Sequence, residues 1–158
     1  MSELHRAAYD GHPGWVQTCL SKGAQVDARD EKGYTALLWS CFRGRVGDQL
    51  AIAKLLANAG ADLNAIVLPK GDGCLHLAAQ SGNKELVQFL LDRGANINLV
   101  ADELTALMVA IRSREVDIAK LLLARGADTT YKLHGRSAID YAKYEGLHDL
   151  VRQFIVGV

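Results

Sequence analysis

A short phrase led by Gly-Ala recurs four times along this chain, and its regular spacing constrains the fold more than any other feature. The copies begin at Gly23, Gly60, Gly94 and Gly126, which puts them 37, 34 and 32 residues apart. Self-similarity at such a period is typical of proteins built from stacked structural repeats. The chain is therefore predicted to be a row of similar units that share one elongated apolar core.

Each unit is predicted to contain two helices. An amphipathic stretch that ends in an apolar cluster precedes every Gly-Ala copy, as residues 86–91 illustrate, and a shorter apolar phrase lies upstream of it, as in residues 73–79. Thr35, Thr105 and Ser137 stand directly before these shorter phrases, where a side-chain oxygen can cap a helix N-terminus. One unit cannot bury its apolar face alone, so neighbouring units must cover each other.

We expect one all-α domain over residues 1–158, a solenoid of about five helix pairs with atypical end units. Relative to the usual repeat length, the second unit carries about four extra residues within 44–49. A tolerated surface loop is favoured there, and a partner contact is the alternative. The apolar segment 66–70 predicts either packing on adjacent turns or an exposed apolar contact. The approximate units are 2–30, 31–66, 67–99, 100–131 and 132–158.

In-register copies of this kind closely resemble the ankyrin repeat family over essentially the whole chain. The resemblance implies antiparallel helix pairs joined by β-hairpin-like fingers, and it gives His5 and His76 a structural, hydrogen-bonding role. The copies depart from the family's Thr-Pro-Leu-His phrase, because none has the proline and Leu38, Met108 and Asp140 replace the histidine in the other units. Arg114 stands where a glycine between the two helices is expected.

Composition argues against several classes of function. The 18 basic and 18 acidic residues cancel, so the chain lacks the net positive charge that favours nucleic-acid binding. Residues 1–6 do not read as a signal peptide, and no apolar run is long enough to span a bilayer. Three widely spaced cysteines without a Cys-x-x-Cys motif indicate reduced thiols in a cytoplasmic compartment.

No catalytic motif is recognisable. The sequence has no nucleophile elbow, phosphate-binding loop or zinc-protease motif, and its acidic residues form no evident pair for acid–base chemistry. Repeat geometry places His134 on a finger and His148 at the opposite edge, so they are not expected to converge on a metal. We expect no enzyme activity, cofactor or metal.

The resemblance implies that a partner protein lies in a concave groove formed by the finger tips and the exposed ends of the short helices. Tyr34, Trp39, Phe42 and Arg43 form the most informative part, because aromatic residues and arginine are enriched at binding hot spots. Packing between units is the alternative for Trp39 and Phe42. The candidate contacts are Tyr9, Asp10, Lys32, Tyr34, Trp39, Phe42, Arg43, Leu68, Lys70, Asp72, Gln80, Asp102, Leu104, Arg112, His134, Arg136 and Tyr144.

The leading hypothesis is therefore a protein-binding module, a scaffold or an inhibitor, that is a monomer when unbound and has no nucleic-acid or membrane partner. A toxin-neutralising or immunity-type inhibitor of an enzyme is one alternative, and it rests on family analogy. A homo-oligomeric structural subunit is the other.

Overall fold

The computed structural model describes residues 1–42, 46–67 and 71–156. In these segments, ten α-helices alternate between short and longer ones. The short helices, of seven residues each, are α1 Glu3–Tyr9, α3 Ala36–Phe42, α5 Cys74–Gln80, α7 Ala106–Arg112 and α9 Ala138–Tyr144. The longer helices are α2 Pro13–Ser21, α4 Val46–Asn58, α6 Lys84–Asp92, α8 Val116–Ala124 and α10 His148–Val156.

The helices form two layers that run the length of the chain. Each helix packs against the other member of its pair and against the equivalent helix of the next pair, and the short helices pack together more extensively than the longer ones. The side chains between the layers are almost fully buried, as the repeat pattern predicted. They include Leu37, Leu56, Leu75, Leu90, Leu107 and Leu122.

Local chemistry sets the helix ends as predicted. The hydroxyl of Thr35 accepts a hydrogen bond from the backbone N–H of Leu38 at 3.2 Å, and Thr105 caps α7 in the same way through Met108 at 3.3 Å. The chain leaves the longer helices through residues with φ between +82° and +89°, a conformation that costs glycine little. These residues are Gly23, Gly60, Gly94 and Gly126.

Short hairpins form two of the fingers. Strand β1 (Val100–Ala101) pairs antiparallel with β2 (Leu104–Thr105), and β3 (Lys132–Leu133) pairs antiparallel with β4 (Arg136–Ser137). The second finger has a single antiparallel bridge, between Ile66 and Gly73, instead of a pair of strands. The finger geometry implied by the ankyrin resemblance is therefore present even in units that lack the Thr-Pro-Leu-His phrase.

A chain of side-chain hydrogen bonds fixes the spacing of the fingers. In successive units, an Asp or Asn side chain accepts a bond from a backbone N–H of the following finger, so each finger is tied to the next. These bonds join Asp27 to the N–H of Asp62 at 2.9 Å, Asn64 to that of Asn96 at 2.7 Å, and Asn98 to that of Asp128 at 2.7 Å.

The extra residues of the second unit lengthen a helix, and this corrects the expectation of a surface loop. Helix α4 has 13 residues where α6 has 9. In its first turns, the buried Gln49 donates to the carbonyl of Cys41 at 3.4 Å and accepts from the side chain of Asn83 at 2.7 Å. The added turn therefore links the second unit to the third, while residues 43–45 lie outside the described part of the chain.

Two other irregularities have structural explanations. Arg114 adopts φ +60° in place of the expected glycine, and its guanidinium contacts the carbonyl of Glu145 at 2.9 Å and the carboxylate of the same residue at 3.3 Å. In the apolar finger, Ile66 is half-buried and Val67 is 8% exposed. Of the two interpretations of segment 66–70, these two residues favour packing.

Candidate partner-binding groove

The last residues of the short helices form a row along one edge of the layer that these helices make. Tyr9, Phe42, Gln80, Arg112 and Tyr144 each end a helix of the same length, so they occupy equivalent positions in successive units. Phe42 is 44% exposed and Tyr144 is 79% exposed. The sequence singled out all five as candidate contacts, and the structure places them on a common edge.

The predicted finger residues divide by exposure. Tyr34 and Asp72 are half-buried. Three further candidates, Arg43, Leu68 and Lys70, lie outside the described residues. Besides the exposed helix-end residues Phe42, Gln80, Arg112 and Tyr144, the exposed members of the predicted set are Asp10 after α1 and, on the fingers, Lys32, Asp102, His134 and Arg136.

Two predicted contact residues are almost completely buried in the unbound chain. Trp39 is only 5% exposed and Leu104 only 8% exposed, so neither offers a partner much surface. Trp39 packs among neighbouring rings, and the carbonyl of Leu104 is 3.0 Å from Nε2 of the buried His76. These residues form the floor of the groove and support the side chains that flank it.

Four aromatic side chains from the first two units form one cluster, and Trp39 lies at its centre. Tyr34 stacks on the indole with ring centroids 4.1 Å apart and planes 19° apart. Tyr9 meets it edge-on at 5.1 Å, and Phe42 meets it edge-on at 6.0 Å. Offset-stacked and edge-to-face pairs at these distances are favourable, so the rings hold one another in place.

Asp30 fixes the position of Trp39. Its carboxylate accepts the indole N–H at 2.7 Å and also accepts the backbone N–H groups of Lys32 and Tyr34 at 2.9 and 3.1 Å. Burial alone would raise the pKa of Asp30, but these hydrogen bonds, with Trp39 foremost, lower the pKa below its ordinary value. The carboxylate therefore stays charged beside the indole and ties the first finger to α3.

A cavity of about 270 Å³, called here the aromatic cavity, opens beside this cluster. The ammonium group of Lys32 lies 5.8 Å from the centroid of the Trp39 ring, within the range of a cation–π contact. The cavity joins the ends of α1 and α3 to the first finger. Its lining residues are Met1, Tyr9, Asp30, Glu31, Lys32, Trp39 and Phe42.

A second cavity of about 370 Å³, called here the acidic cavity, lies between the second and third fingers and the ends of α5 and α7. Charged and polar groups dominate it, with Asp72 and Asp102 on the fingers and Arg112 at the end of α7. Its lining residues are Asp72, Gln80, Asp102, Leu104, Val109, Arg112 and Ser113.

Burial and neighbouring charges shift the pKa values of Asp72 and Tyr34. Burial raises the pKa of Asp72; the nearby His76 and Arg112 oppose this shift and the negative charge of Asp102 adds to it. Burial also raises the pKa of Tyr34, and the charges of Asp72 and Asp30 raise it further. The negative charge of Asp72 therefore acts on Tyr34 of the aromatic cluster as well as on the acidic cavity.

Sequence reasoning missed Asp30, which was not among the candidate contacts. An Asp three residues before Gly33 is a recognisable turn signal, and the backbone bonds from Lys32 and Tyr34 could have been anticipated from it. The bond to the indole of Trp39, which makes Asp30 part of the groove, joins a finger to a helix and has no local sequence signal.

The groove contains no recognisable catalytic arrangement among the described residues. Within those residues, no three His, Cys, Asp or Glu side chains are placed to hold a metal ion. His5 and His76 are buried and bond to the carbonyls of Ala28 and Leu104 at 2.8 and 3.0 Å, as expected for structural histidines. A search of the same part of the chain for a membrane-spanning helix found none of sufficient length and hydrophobicity.

The stacked helix pairs, the finger hairpins and the open groove define the chain as a helical repeat protein with an elongated binding face. A family model described as ankyrin repeats (3 copies) matches residues 4–101, 45–133 and 75–157. The chain belongs to the ankyrin repeat family. Repeats of this family are generally protein–protein interaction modules.

The relatives that share this repeat array are otherwise different proteins. The chain is 30% identical over 155 residues to a B-cell lymphoma 3 protein homolog from Mus musculus, which covers 96% of this chain and 34% of that protein. It is 32% identical over 148 residues to inversin from Homo sapiens, covering 90% of this chain and 13% of inversin. It is 36% identical over 127 residues to the transient receptor potential channel pyrexia from Drosophila melanogaster, covering 76% and 13%.

The chain thus spans about a third or less of the length of each of these relatives. What the relatives share with it is the repeat array.

Proposed function

We propose that this chain binds a partner protein along the groove between its finger tips and the ends of its short helices, and acts as a non-catalytic scaffold or inhibitor. The observation that carries the proposal is the pair of cavities in that groove, each lined by residues from more than one unit. Concave sites that combine apolar anchors with a few polar groups are the usual form of a binding site.

The side chains of the groove are of the types that anchor protein interfaces. Exposed Phe42 and Tyr144 stand at equivalent positions in the second and fifth units, and exposed Arg112 stands between them. Aromatic and arginine side chains contribute most of the binding energy at many interfaces. The proposed contact set is the predicted one, with Arg43, Leu68 and Lys70 included and with Trp39 and Leu104 acting as supports.

The charges of the groove favour a protein over a nucleic acid. Asp30, Glu31, Asp72 and Asp102 line the two cavities, and clustered carboxylates repel a phosphate backbone. Among the described residues, the exposed large apolar side chains are Met1, Phe42, Val100 and Tyr144; Met1 and Phe42 line the same cavity, and the other two belong to later units. We therefore propose that the unbound chain is a monomer.

We also propose a reducing compartment such as the cytoplasm. Cys19, Cys41 and Cys74 are buried thiols that are not joined in disulfides. Burial raises the pKa of the Cys19 thiol, and a hydrogen bond with Cys41 together with burial raises the pKa of the Cys74 thiol. A buried thiol with a raised pKa is poorly reactive, so these cysteines serve as small core residues.

Capture experiments with paired variants test the proposed groove. The chain is immobilised, exposed to a lysate of its source and cross-linked, and the captured proteins are identified by mass spectrometry. We expect the Phe42→Ala/Tyr144→Ala double variant to lose a specific set of proteins that the unaltered chain captures. The matched control is Gln17→Ala/Gln88→Ala, which alters exposed positions on two longer helices.

The control should retain those proteins, and circular dichroism should show that both double variants remain folded. If the groove variant captured the same proteins as the control, binding would lie elsewhere on the surface and the proposal would be wrong.

A further inference from the structure

We propose that the aromatic cavity is a receptor for the guanidinium group of a partner's arginine, and that Lys32 occupies this place in the unbound chain. The inference rests on the proposed function, because it names the chemistry that the partner presents to one end of the groove. It is carried by the geometry around one face of Trp39.

Trp39 is only 5% exposed while Lys32 lies over its ring, so a ligand reaches the indole when the Lys32 side chain moves away. Tyr34 stacks on one face of the indole at 4.1 Å and does not line the cavity. Tyr9 and Phe42 line the cavity and lie at steep angles to the indole plane. A flat group that enters the cavity would therefore contact Trp39 together with two further aromatic rings.

The electrostatics of this face favour a cation. An aromatic face attracts positive charge, and tryptophan does so most strongly. The indole N–H donates to the Asp30 carboxylate at 2.7 Å, and hydrogen bonding to an anion polarises the donor ring towards greater electron density. The hydrogen bonds to Asp30 lower the pKa of its carboxyl group, which favours the negative charge beside the ring.

Two carboxylates at the cavity favour guanidinium over other cations. Asp30 and Glu31 both line it, and guanidinium can stack on a ring while its N–H groups donate to carboxylates. Glu31 also lies 3.4 Å from the amino group of Met1, but its side chain is 93% exposed, so that contact is weak. A quaternary ammonium is also attracted by these negative charges, but it has no N–H to donate and would form no hydrogen bond with the carboxylates.

Lys32 shows that the cavity accepts a cation. Its ammonium lies 5.8 Å from the indole centroid, and the residue is exposed on the first finger. An exposed lysine can move its ammonium away at little cost, because its long side chain has many rotamers. When it does so, the carboxylates of Asp30 and Glu31 face, among the described residues, only the amino group of Met1 as a positive charge in the cavity, and a partner's arginine takes the place of Lys32.

The test uses the chain alone, with N-acetyl-arginine amide as the probe. The indole N–H signal of Trp39 is followed by two-dimensional NMR, and a Trp15→Phe variant assigns the two indole signals of the chain. We expect a saturable shift of the Trp39 signal. We expect Lys32→Met to tighten binding by about threefold or more, because it removes the competing cation, and Glu31→Gln to weaken it.

Lys84→Met is the matched control, because it removes the same charge from an exposed position at the start of α6; it should leave the affinity unchanged. Tetramethylammonium chloride and N-acetyl-glutamate amide are titrated in parallel. Equal responses to tetramethylammonium and the arginine probe would overturn the guanidinium assignment. Binding of the glutamate probe that Lys32→Met abolishes would make Lys32 an anion receptor and overturn the proposal.

Absence of a saturable shift with both the unaltered chain and Lys32→Met would also overturn it. Because no partner protein is present in this experiment, that result would leave the capture experiment and the proposed groove unaffected. Conversely, failure of the capture experiment would not remove a measured arginine site.

Discussion

His5 and His76 occupy the same position in their units, but only one has a complete set of partners. Both place Nε2 at a finger carbonyl. Nδ1 of His5 lies 2.6 Å from the hydroxyl of Ser2, whereas Nδ1 of His76 is buried and has no hydrogen-bond partner among the described residues. Gly73 stands three residues before His76, where Ser2 precedes His5, so the missing hydroxyl explains the unsatisfied nitrogen.

Gly73→Ser is expected to stabilise the protein by about 1 kcal/mol, because a neutral imidazole that donates through Nε2 accepts at Nδ1 and a serine hydroxyl can supply the donor. The backbone of Gly73, at φ −92° and ψ 171°, suits any residue. A Cβ there would lie 3.2 Å from the end of the Leu99 side chain and 3.3 Å from Nδ1 of His76. Leu99 must therefore shift slightly.

Gly73→Ala is the control, since it adds the same carbon without the hydroxyl. Denaturant unfolding compares the two variants. If Gly73→Ser were no more stable than Gly73→Ala, the hydroxyl would not be reaching His76.

The stability of the protein is expected to depend on pH through His76. Burial lowers the pKa of His76, so the imidazole is protonated more readily in the unfolded chain than in the folded one. The stability that the folded protein gains from neutral His76 is complete above the ordinary imidazole pKa. It is lost as the pH falls from that value towards the lowered pKa of the folded state.

His76→Leu should reduce this pH dependence, because the same position is Leu38 in the second unit and Met108 in the fourth. Between about pH 8 and about pH 5.5, which bracket the ordinary imidazole pKa, the unaltered chain should lose more free energy of unfolding than the variant. His134→Gln alters an exposed histidine and is the control. Equal slopes for all three proteins would show that His76 does not carry the effect.

At the scale of the elements, the two finger hairpins have the same kind of turn, but only one of them has glycine at its second central residue. His134 and Gly135 have φ of +49° and +79°, and Asp102 and Glu103 have φ of +46° and +65°. Two-residue hairpin turns with positive φ at both central residues favour Asn or Asp followed by glycine. The β1–β2 turn therefore holds Glu103 in a conformation that a side chain makes costly.

Glu103→Gly is expected to raise the free energy of unfolding by roughly 1 kcal/mol, because it relieves the left-handed strain and creates an Asp-Gly turn. Gly135→Ala is the mirror-image control in the other finger and should destabilise by a similar amount. Thermal melts of the two variants should shift in opposite directions. A lower melting temperature for Glu103→Gly would contradict the turn assignment.

Leu90→Ala is expected to cost roughly 2–5 kcal/mol, the usual range for a large-to-small change in a packed core. Leu90 is 0% exposed in α6 and lies in the same core as its counterparts in the neighbouring units. Leu91→Ala, at the half-buried adjacent position, should cost less. A melting temperature for Leu90→Ala equal to that of the unaltered chain would remove Leu90 from the core.

At the scale of the whole molecule, contacts between neighbouring units hold the array together. Arg125 pairs with Asp92 at 2.8 Å, and Arg93 bonds to Asn58 at 3.0 Å, so the end of each of these longer helices is tied to the preceding one. The side-chain hydrogen bonds between successive fingers tie neighbouring units together in the same way. Stability is then a sum of units and their interfaces, while the groove faces solvent.

The unbound chain is expected to be a monomer, because its exposed apolar side chains are distributed among units. Light scattering coupled to size exclusion should give a mass close to 17.1 kDa at micromolar concentration. Tyr144→Arg, which removes the most exposed aromatic ring, should give the same mass. A dimer that this variant dissociates would make the end of the groove a self-association surface instead.

The sequence predicted the parts of this protein that repeat. The helix pairs, the Thr35 and Thr105 caps and the left-handed glycines depend on residues close together in the chain, so a local pattern shows them. The row of candidate contacts from Tyr9 to Tyr144 also followed from the repeat, because equivalent positions fall on the same edge. The described residues confirm the helix pairs, the caps and the glycine conformations, while the contact role of the row stays a prediction.

Only the tertiary structure decided how the irregular residues are used. It showed that the extra residues of the second unit extend α4 and bring Gln49 to Asn83, and that Asp30 fixes the position of Trp39. It also showed that His76 has no partner at Nδ1 within the described part of the chain. These features depend on contacts between elements that sequence spacing does not specify. A repeat fixes which positions are equivalent, whereas packing decides which side chain fills each space.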